Sequence, residues 1–385
     1  MLDDLRVVEL SATSAAAFAG RFCADAGAEV ILVEPPTGHA LRYEGPFVQP
    51  SAISRQPSAG APDPETSAAH LHVNAGKRSV TLDIEQQASV LRGLIVSADV
   101  FLTDLPLAVL DPLDLRWEVL QVWDPALVMT QITPFGNTGP YRHYAGTNLI
   151  EMALGGQLKI TGDPGKPPLC NFGAQAEYQA GLAAFAGTVA NLLLRDASGE
   201  GEYLDLSVQD VVAMNLEGRS LTFNLGVMAE RAGLNVSAVY GVYPCADGWV
   251  FLSAFAPALW EQLKDAVGME ELLDERFQTQ AGRLEHNDEL QAVLTGWTLS
   301  KTSDELRVFA QKGYPITVAE TPERLLRSEQ WARRNFVYPV AHPASGKVSV
   351  LASPWQGPNT TAPRPAPLLG EANTEILGAH SEMAR

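Results

Sequence analysis

The side chains that most often act as nucleophiles or metal ligands are isolated from one another along this sequence. The three cysteines form no Cys-x-x-Cys pair, so we interpret them as reduced thiols packed as small apolar groups rather than as zinc ligands or disulfides. They are Cys23, Cys170 and Cys245. His70 and His72 stand close together on an expected strand edge, but no third ligand accompanies them, and we expect no metal site. Ser207 and Asp210 lack the glycine-flanked elbow of a serine hydrolase.

A carboxylate, Glu177, lies in the first turn of a long expected helix. The helix spans residues 174–195 and reads AQAEYQAGLAAFAGTVANLLLR, so its many Ala and Gly residues leave room for another backbone to approach closely. The helix macrodipole stabilises negative charge in the first turn. On these residues alone, a solvated glutamate with a structural role is therefore the favoured interpretation.

The elements of the first half alternate between strand and helix. Residues 6–10 (RVVEL) and 30–33 (VILV) are short apolar runs separated by a helical stretch, which predicts a βαβ unit with a parallel pair. No GxGxxG motif is present there, so a dinucleotide site is not indicated. Further strands are predicted over 79–82, 100–102 and 127–132, with a helix over 85–97. The first half is therefore expected to be an open α/β layer structure.

The predicted elements of the second half follow a different pattern. A helix is predicted over 205–219, and a hairpin with its turn at Ala246-Asp247-Gly248 begins near Tyr240. Helices predicted over 257–268, 286–298 and 303–312 complete a small α/β unit. The Pro-rich tail from about 340 to 370 is expected to wrap back over another part of the molecule, and residues 50–67 are expected to form a loop.

The composition excludes several classes of partner. The chain has 385 residues, of which 46% are hydrophobic, so it can bury a large core. Its net charge of −18 disfavours nucleic acid and anionic membrane surfaces, both of which attract basic proteins. The acidic start MLDDLRVVEL is unlike a signal peptide, and no apolar run approaches the ~20 residues of a membrane span. We expect a cytoplasmic protein with no membrane partner.

Seven segments, in order from one end of the chain to the other, resemble the class III CoA-transferases. That family contains formyl-CoA, carnitine and succinyl-CoA:carboxylate transferases and 2-methylacyl-CoA racemase. The segments are GAEVILVEPP (27–36), GKRSVTLDI (76–84), ADVFLTDLP (98–106), PFGNTGPY (134–141), GEGEYLDLSVQD (199–210), YGVYPCADGW (240–249) and APLLGEANTEIL (366–377).

The resemblance implies a fold and an assembly. It implies an α/β chain with a large Rossmann-like domain over 1–225, a small α/β domain over 226–330, and a C-terminal segment over 331–385 that returns to the large domain. Two such chains thread through each other as interlocked rings, so a homodimer is expected, with a heteromer of paralogous chains left open.

The resemblance also implies an activity. Members move CoA from an acyl-CoA donor to a carboxylic acid through a covalent enzyme-CoA thioester, so CoA thioesters are cosubstrates and no tightly bound cofactor is expected. The position of the family's nucleophilic aspartate is occupied here by Glu177, in PPLCNFGAQAEYQAG (167–181). The added methylene moves the carboxylate by more than ~1 Å. Two alternatives stay open: an isomerase, racemase, lyase or hydrolase using Glu177 as general base, and a catalytically silent subunit that binds acyl-CoA.

The racemase branch of the family uses a His-Asp doublet, which aligns here with Thr147 and Asn148 in AGTNLIEMALGG (145–156). Neither side chain transfers a proton near pH 7, so racemisation by that route is disfavoured. Hydrogen bonding to a thioester carbonyl or carboxylate and capping of a helix start are both open for these two residues.

The resemblance implies CoA contacts at several further positions. Ser14 and Ala15 match the segment that lines the adenine end of CoA, although the usual Gly-Pro is absent. The remaining candidates are Arg42, Lys77, Arg78, Leu82 and Asp104. The three basic residues would pair with phosphates, or would serve as structural charges. A position that is often basic in relatives is Pro35 here.

Overall fold

The computed structural model describes residues 1–48, 62–216, 226, 231, 238–357 and 362–378. Most of the loop predicted over 50–67 lies outside these residues. The chain divides into two compact units. The larger comprises Met1–Gln157, Cys170–Gly226 and Glu329–Arg385, and the smaller comprises Leu158–Leu169 and Val227–Ser328. The domain boundaries predicted from the sequence stay a prediction.

The larger unit is built on a parallel sheet of six strands in the order β3-β2-β1-β4-β5-β6. The strands are β1 (Arg6–Leu10), β2 (Glu29–Glu34), β3 (Arg78–Thr81), β4 (Val100–Thr103), β5 (Val128–Thr133) and β6 (Tyr203–Ser207). In β1, Val7 pairs with Val30 of β2 and with Val100 of β4. The strand order reverses direction between β1 and β4, which is where open α/β sheets form a ligand crevice at their carboxyl ends.

Helices cover the sheet and bury its apolar side chains. In chain order up to residue 214, the described helices are α1 (Ser14–Asp25), α2 (Ala68–Val73), α3 (Ala88–Val96), α4 (Leu107–Leu110), α5 (Trp117–Trp123), α6 (Asn148–Leu154), α7 (Gln157–Ile160), α8 (Gln175–Ser198) and α9 (Val208–Met214). Most of α7 belongs to the smaller unit. Leu91, Leu94 and Ile95 of α3 are fully buried against strand residues such as Val8 and Phe101. Strands buried on both faces are near-continuous apolar runs, which explains why they are evident in the sequence.

Two local predictions are wrong. The segment predicted as a helix over 205–219 begins as strand β6, because Leu204–Ser207 alternates apolar and polar side chains. Helix α9 begins only after Ser207, whose Oγ accepts a hydrogen bond from Asp210 N (3.2 Å), and residues 217–219 lie outside the described residues. His70 and His72 lie in α2 rather than on a strand edge, since the Ser67 side chain caps that helix.

The C-terminal residues of the larger unit form a hairpin and then pack along the sheet. Strands β10 (Val337–His342) and β11 (Gly346–Leu351) pair antiparallel. Further on, Asn373 Oδ1 accepts from Thr81 N and Asn373 Nδ2 donates to Thr81 Oγ1, both at 2.8 Å. A π-helical turn over Asn373–Leu377 thereby follows the edge strand β3.

The smaller unit has its own sheet and core. Strands β7 (Tyr240–Cys245), β8 (Gly248–Ser253) and β9 (Ile316–Val318) are antiparallel, and the predicted hairpin turn is confirmed because Cys245 pairs with Gly248. Its helices are Pro257–Val267, Gln280–Glu285, Asn287–Leu299, Ser303–Gln311 and Pro322–Leu325. Trp260 and Tyr243 are buried in this core. Within the described ranges, no helix has the length and hydropathy needed to cross a bilayer.

Candidate active site

The loop that follows β1 turns into the N-terminus of α1 at Thr13. The Thr13 side chain caps the helix by accepting a hydrogen bond from Ala15 N (3.2 Å). Asp104, just after β4, fixes the same turn: its carboxylate accepts from Ala12 N (2.7 Å), Thr13 N (3.0 Å) and Thr13 Oγ1 (2.6 Å). Adjacent strand ends therefore hold the start of α1 in place.

Helix α8 lies unusually close to α1, because Gly181 has no side chain. A Cβ at this position would lie 2.6 Å from the Ala15 carbonyl oxygen and 3.0 Å from the Phe18 Cβ. Residues four apart share one face of a helix, so Glu177 emerges one turn before Gly181 on the same face. The close approach of the two helices thus carries Glu177 to the N-terminus of α1.

The Glu177 carboxylate is half-buried, and its Oε2 accepts a hydrogen bond from Ser14 N at 2.9 Å. Burial raises the pKa of Glu177, while the Ser14 hydrogen bond lowers it and the negative charges of Asp104 and Glu44 raise it further. The result is a carboxylate more basic than an exposed glutamate but still held by a backbone N–H at the positive end of a helix.

Two more carboxyl groups accompany Glu177. Burial raises the pKa of Asp104 to about 6, against the opposing hydrogen bonds from Thr13 and the backbone. Glu151 of α6 is only 3% exposed, and burial together with the charge of Glu177 raises its pKa to about 7. Like charges in one desolvated site disfavour simultaneous ionisation, so near pH 7 these groups share fewer than three negative charges.

The three carboxyl groups line one small cavity of about 50 Å³. Its walls come from the start of α1, the end of β5 and the helices α6, α8 and α9. The lining includes Thr13, Ala15, Thr133, Gly146 and Val208. The Glu177 carboxylate thus lies against a cleft in the larger unit, with Asp104 and Glu151 beside it.

A larger cavity of about 670 Å³ lies on the other side of the loop after β1. It is formed by the carboxyl ends of β1 to β4, at the point where the strand order reverses. Its lining includes Leu10, Ser11, Val33, His39, Leu82 and Leu105. Burial lowers the pKa of His39 to about 4, so this imidazole is neutral at pH 7. Ser11 and Ala12 line the large cavity, and the next residue, Thr13, lines the small one. The two cavities therefore share the loop after β1.

The sequence candidates Ser14, Ala15, Asp104 and Asn148 are brought together with Glu177. Asn148 Oδ1 accepts from Ala176 N at 2.8 Å, so this side chain caps the first turn of α8 rather than its own helix. Thr147 is exposed, and its side chain forms no capping hydrogen bond. Of the doublet, Asn148 therefore helps to position Glu177.

Two of the basic candidates are buried ion-pair partners. The Arg42 guanidinium is fully buried and donates to both carboxylate oxygens of Glu34 (2.6 and 2.7 Å) and to Glu65 (2.7 Å). Lys77 Nζ donates to Glu9 Oε1 (2.9 Å), Asn74 Oδ1 (2.7 Å) and the Ala17 carbonyl (2.7 Å). Burial lowers the pKa of Lys77, against the raising effect of Glu9. In this structure their charges are balanced within the chain, and their predicted contact with CoA phosphates stays a prediction.

Arg78 is the first residue of β3, and Leu82 directly follows its last residue. Arg78 is partly exposed and forms ion pairs with Glu29 (2.6 Å) and with Glu375. Leu82 is buried and lines the larger cavity. Among the described residues that line this cavity, none is Lys or Arg.

Sequence reasoning misses Glu151 and Thr13. The signal for Glu151 is a charged residue inside the apolar run LIEMAL, three positions after Asn148 and on the same helical face.

Across the described ranges, no cluster of three or more His, Cys, Asp or Glu side chains is arranged to hold a metal ion. The arrangement has the chemistry of a carboxylate nucleophile or base.

Comparisons with known proteins identify the family of the chain. A family model described as CoA-transferase family III matches residues 2–373. The succinyl-CoA–D-citramalate CoA-transferase of Chloroflexus aurantiacus is 33% identical, covering 98% of this chain and 93% of the relative. The succinate–glutarate CoA-transferase of Agrobacterium fabrum is 28% identical, covering 98% and 94%. A CaiB/BaiF family protein from Brucella suis, of known structure, superposes with a TM-score of 0.87 at 28% identity, covering 98% of this chain and 99% of that one.

Proposed function

This chain belongs to CoA-transferase family III, and on that premise we propose that it moves CoA from an acyl-CoA donor to a carboxylate acceptor with Glu177 as the nucleophile. The enzyme is a transferase that uses CoA thioesters as cosubstrates. We also propose that the reaction passes through a covalent intermediate on Glu177.

The reaction must conserve the energy of the thioester, since no nucleotide triphosphate enters it. A Glu177 oxygen attacks the donor carbonyl carbon, the C–S bond breaks, and a mixed anhydride and CoA thiolate form. The thiolate then attacks the glutamyl carbonyl, which releases the donor acid and leaves a glutamyl-CoA thioester. The acceptor carboxylate repeats the two steps in reverse and leaves as a new acyl-CoA, restoring the Glu177 carboxylate.

The observation that carries the proposal is the position of the Glu177 carboxylate. It accepts a hydrogen bond from the backbone N–H of Ser14 and lines a cavity. Burial raises its pKa, which makes the carboxylate a stronger nucleophile at the pH where it is ionised. The nearby larger cavity at the strand ends has room for part of an acyl-CoA.

The names of two relatives support a proposal for the substrate class. One acts on succinyl-CoA and D-citramalate, and the other on succinate and glutarate, as their names state. These acids carry two carboxylates each. We therefore propose succinyl-CoA as the first donor to test, with small dicarboxylic acids as acceptors.

A CoA-exchange assay with matched variants tests the proposal. Succinyl-CoA is incubated with a panel of dicarboxylic acids, and the new acyl-CoA is measured by chromatography for the wild type, Glu177→Gln and Glu200→Gln. We expect the Glu177 variant to lose activity by roughly 10⁴-fold or more, because the amide oxygen is a poor nucleophile. Glu200 is exposed beyond the end of α8, so its variant should match the wild type.

Two results would overturn the proposal. One is full exchange in Glu177→Gln. The other is solvent deuterium incorporated at the substrate α-carbon without any CoA exchange, which would assign Glu177 to general-base chemistry instead.

A further inference from the structure

Glu151 is a buried carboxyl group that the proposed nucleophilic steps do not use. Its side chain is 3% exposed, and its Oε2 has no hydrogen-bond partner among the described residues. A buried polar atom without a hydrogen-bond partner costs free energy, so its presence here calls for a functional explanation. Glu151 and Glu177 line the same cavity.

The fold makes room for this carboxyl group. A Cβ at Gly146 would lie 2.8 Å from Glu151 Oε1 and 2.3 Å from the Pro134 Cβ, so only glycine fits there. Among the described residues that line the cavity, none is Lys, Arg or His. The charged or titratable groups that face Glu151 are Glu177 from α8 and Asp104 from the loop after β4, with Glu44 near Glu177. Burial and the charge of Glu177 both favour the protonated form of Glu151.

The small cavity places Glu151 next to the position where Glu177 would meet a substrate. It has a volume of about 50 Å³, and both carboxyl groups line it. An oxygen beside the Glu177 carboxylate is the thioester oxygen of the donor when Glu177 attacks it. The identity of that oxygen rests on the proposed function.

We propose that Glu151 is a second catalytic carboxyl group, which in its protonated form donates a hydrogen bond to the oxygen that becomes negatively charged when Glu177 attacks a thioester. No bond to Glu151 forms or breaks, and the proton stays on Glu151 throughout. The donor acts where charge develops, from a carboxyl group that is itself buried. Since burial and the Glu177 charge raise the pKa of Glu151 to about 7, the donor is present below that pH and lost above it.

The test compares Glu151→Gln and Glu151→Ala with the wild type, measuring kcat and KM for CoA exchange from pH 5 to 9. The glutamine amide keeps an N–H donor of similar size that does not titrate. We expect Glu151→Gln to stay within about 10-fold of the wild-type kcat at pH 6 and to lose the decline in activity above pH 7. Glu151→Ala should lose about 10²–10³-fold in kcat with little change in KM, the loss typical of one oxyanion donor.

Circular dichroism and binding of CoA show whether each variant is folded. If Glu151→Ala does not fold, the pH profile of Glu151→Gln alone tests the proposed role of Glu151. A Gln variant that keeps the alkaline decline, or a folded Ala variant with wild-type kcat, would overturn the role of Glu151 alone. Absence of CoA exchange in the wild type would instead overturn the proposed function on which that role rests.

Discussion

At the scale of single residues, the site depends on where one carboxylate is held. Glu177 reaches the Ser14 N–H from the first turn of α8. The resemblance assigns an aspartate to this position in other class III transferases, and its carboxylate would be one methylene shorter. The geometry around this chain's glutamate is therefore expected to be specific to the longer side chain.

A Glu177→Asp variant tests that expectation. We predict a fall in kcat of about 100-fold, because a displacement of ~1 Å at the attacking atom carries a cost of that size. Steady-state CoA exchange measures it, with Glu177→Gln as the inactive reference. Equal or higher kcat in the aspartate variant would show that the site is not adapted to glutamate.

The titration of Glu151 gives a prediction for stability. Burial and the Glu177 charge raise its pKa from 4.5 to about 7, so the folded state binds this proton more tightly than the unfolded state does. The stabilisation is complete below pH 4.5 and is lost as the pH rises to about 7. A Glu151→Gln variant should therefore be more stable than the wild type at pH 8, by on the order of 2 kcal/mol, with a smaller difference at pH 5. Denaturant unfolding at the two pH values measures this, and a difference that does not change with pH would contradict it.

At the scale of elements, the contact between α1 and α8 positions the nucleophile. Gly181→Ala would place a methyl group 2.6 Å from the Ala15 carbonyl oxygen, so the helices must separate. We expect a loss of about 1–3 kcal/mol in the free energy of unfolding, together with reduced exchange activity as Glu177 withdraws from Ser14.

Gly296→Ala is the matched control for this helix contact. Gly296 lies within the helix Asn287–Leu299, and a methyl group there would have no neighbouring atom within 4 Å, so alanine should stabilise by about 0.5–1 kcal/mol. Denaturant unfolding compares the two variants. Similar effects of both substitutions would mean that the α1–α8 contact has no special role.

The same elements show what a sequence can and cannot predict. The buried strand Arg6–Leu10 is evident from its apolar run, because parallel strands are covered on both faces. The start of α9 is hard to place because Ser207 ends a strand and caps a helix at once. Arg42 and Lys77 are candidates for phosphate binding by sequence, yet their partners Glu34 and Glu9 lie on strand ends whose proximity only the folded chain reveals. Local patterns predict elements, whereas pairing of charges and shared cavities depends on tertiary contacts.

At the scale of the whole molecule, a single chain leaves many apolar side chains exposed. Phe172, just before α8, is 96% exposed, and large apolar residues elsewhere in the larger unit are also exposed. They include Tyr141, Tyr144, Leu149, Leu182, Leu193 and Leu194. Exposed apolar side chains become buried when they lie at an interface between chains.

The homodimer predicted from the family resemblance would cover such surface. We therefore expect light scattering after size exclusion to give twice the chain mass of 41.3 kDa at micromolar concentration. A mass of one chain would contradict the predicted assembly, without bearing on the chemistry at Glu177.

Capture of the covalent intermediate tests the role of Glu177 without relying on rates. The protein is incubated with succinyl-CoA and no acceptor, treated with borohydride or hydroxylamine, digested and analysed by mass spectrometry, with Glu177→Gln as control. We predict a reduced or hydroxamate side chain at Glu177 in the wild type and none in the variant. Rapid CoA exchange with an unmodified Glu177, or with modification at another residue, would contradict the proposed nucleophile.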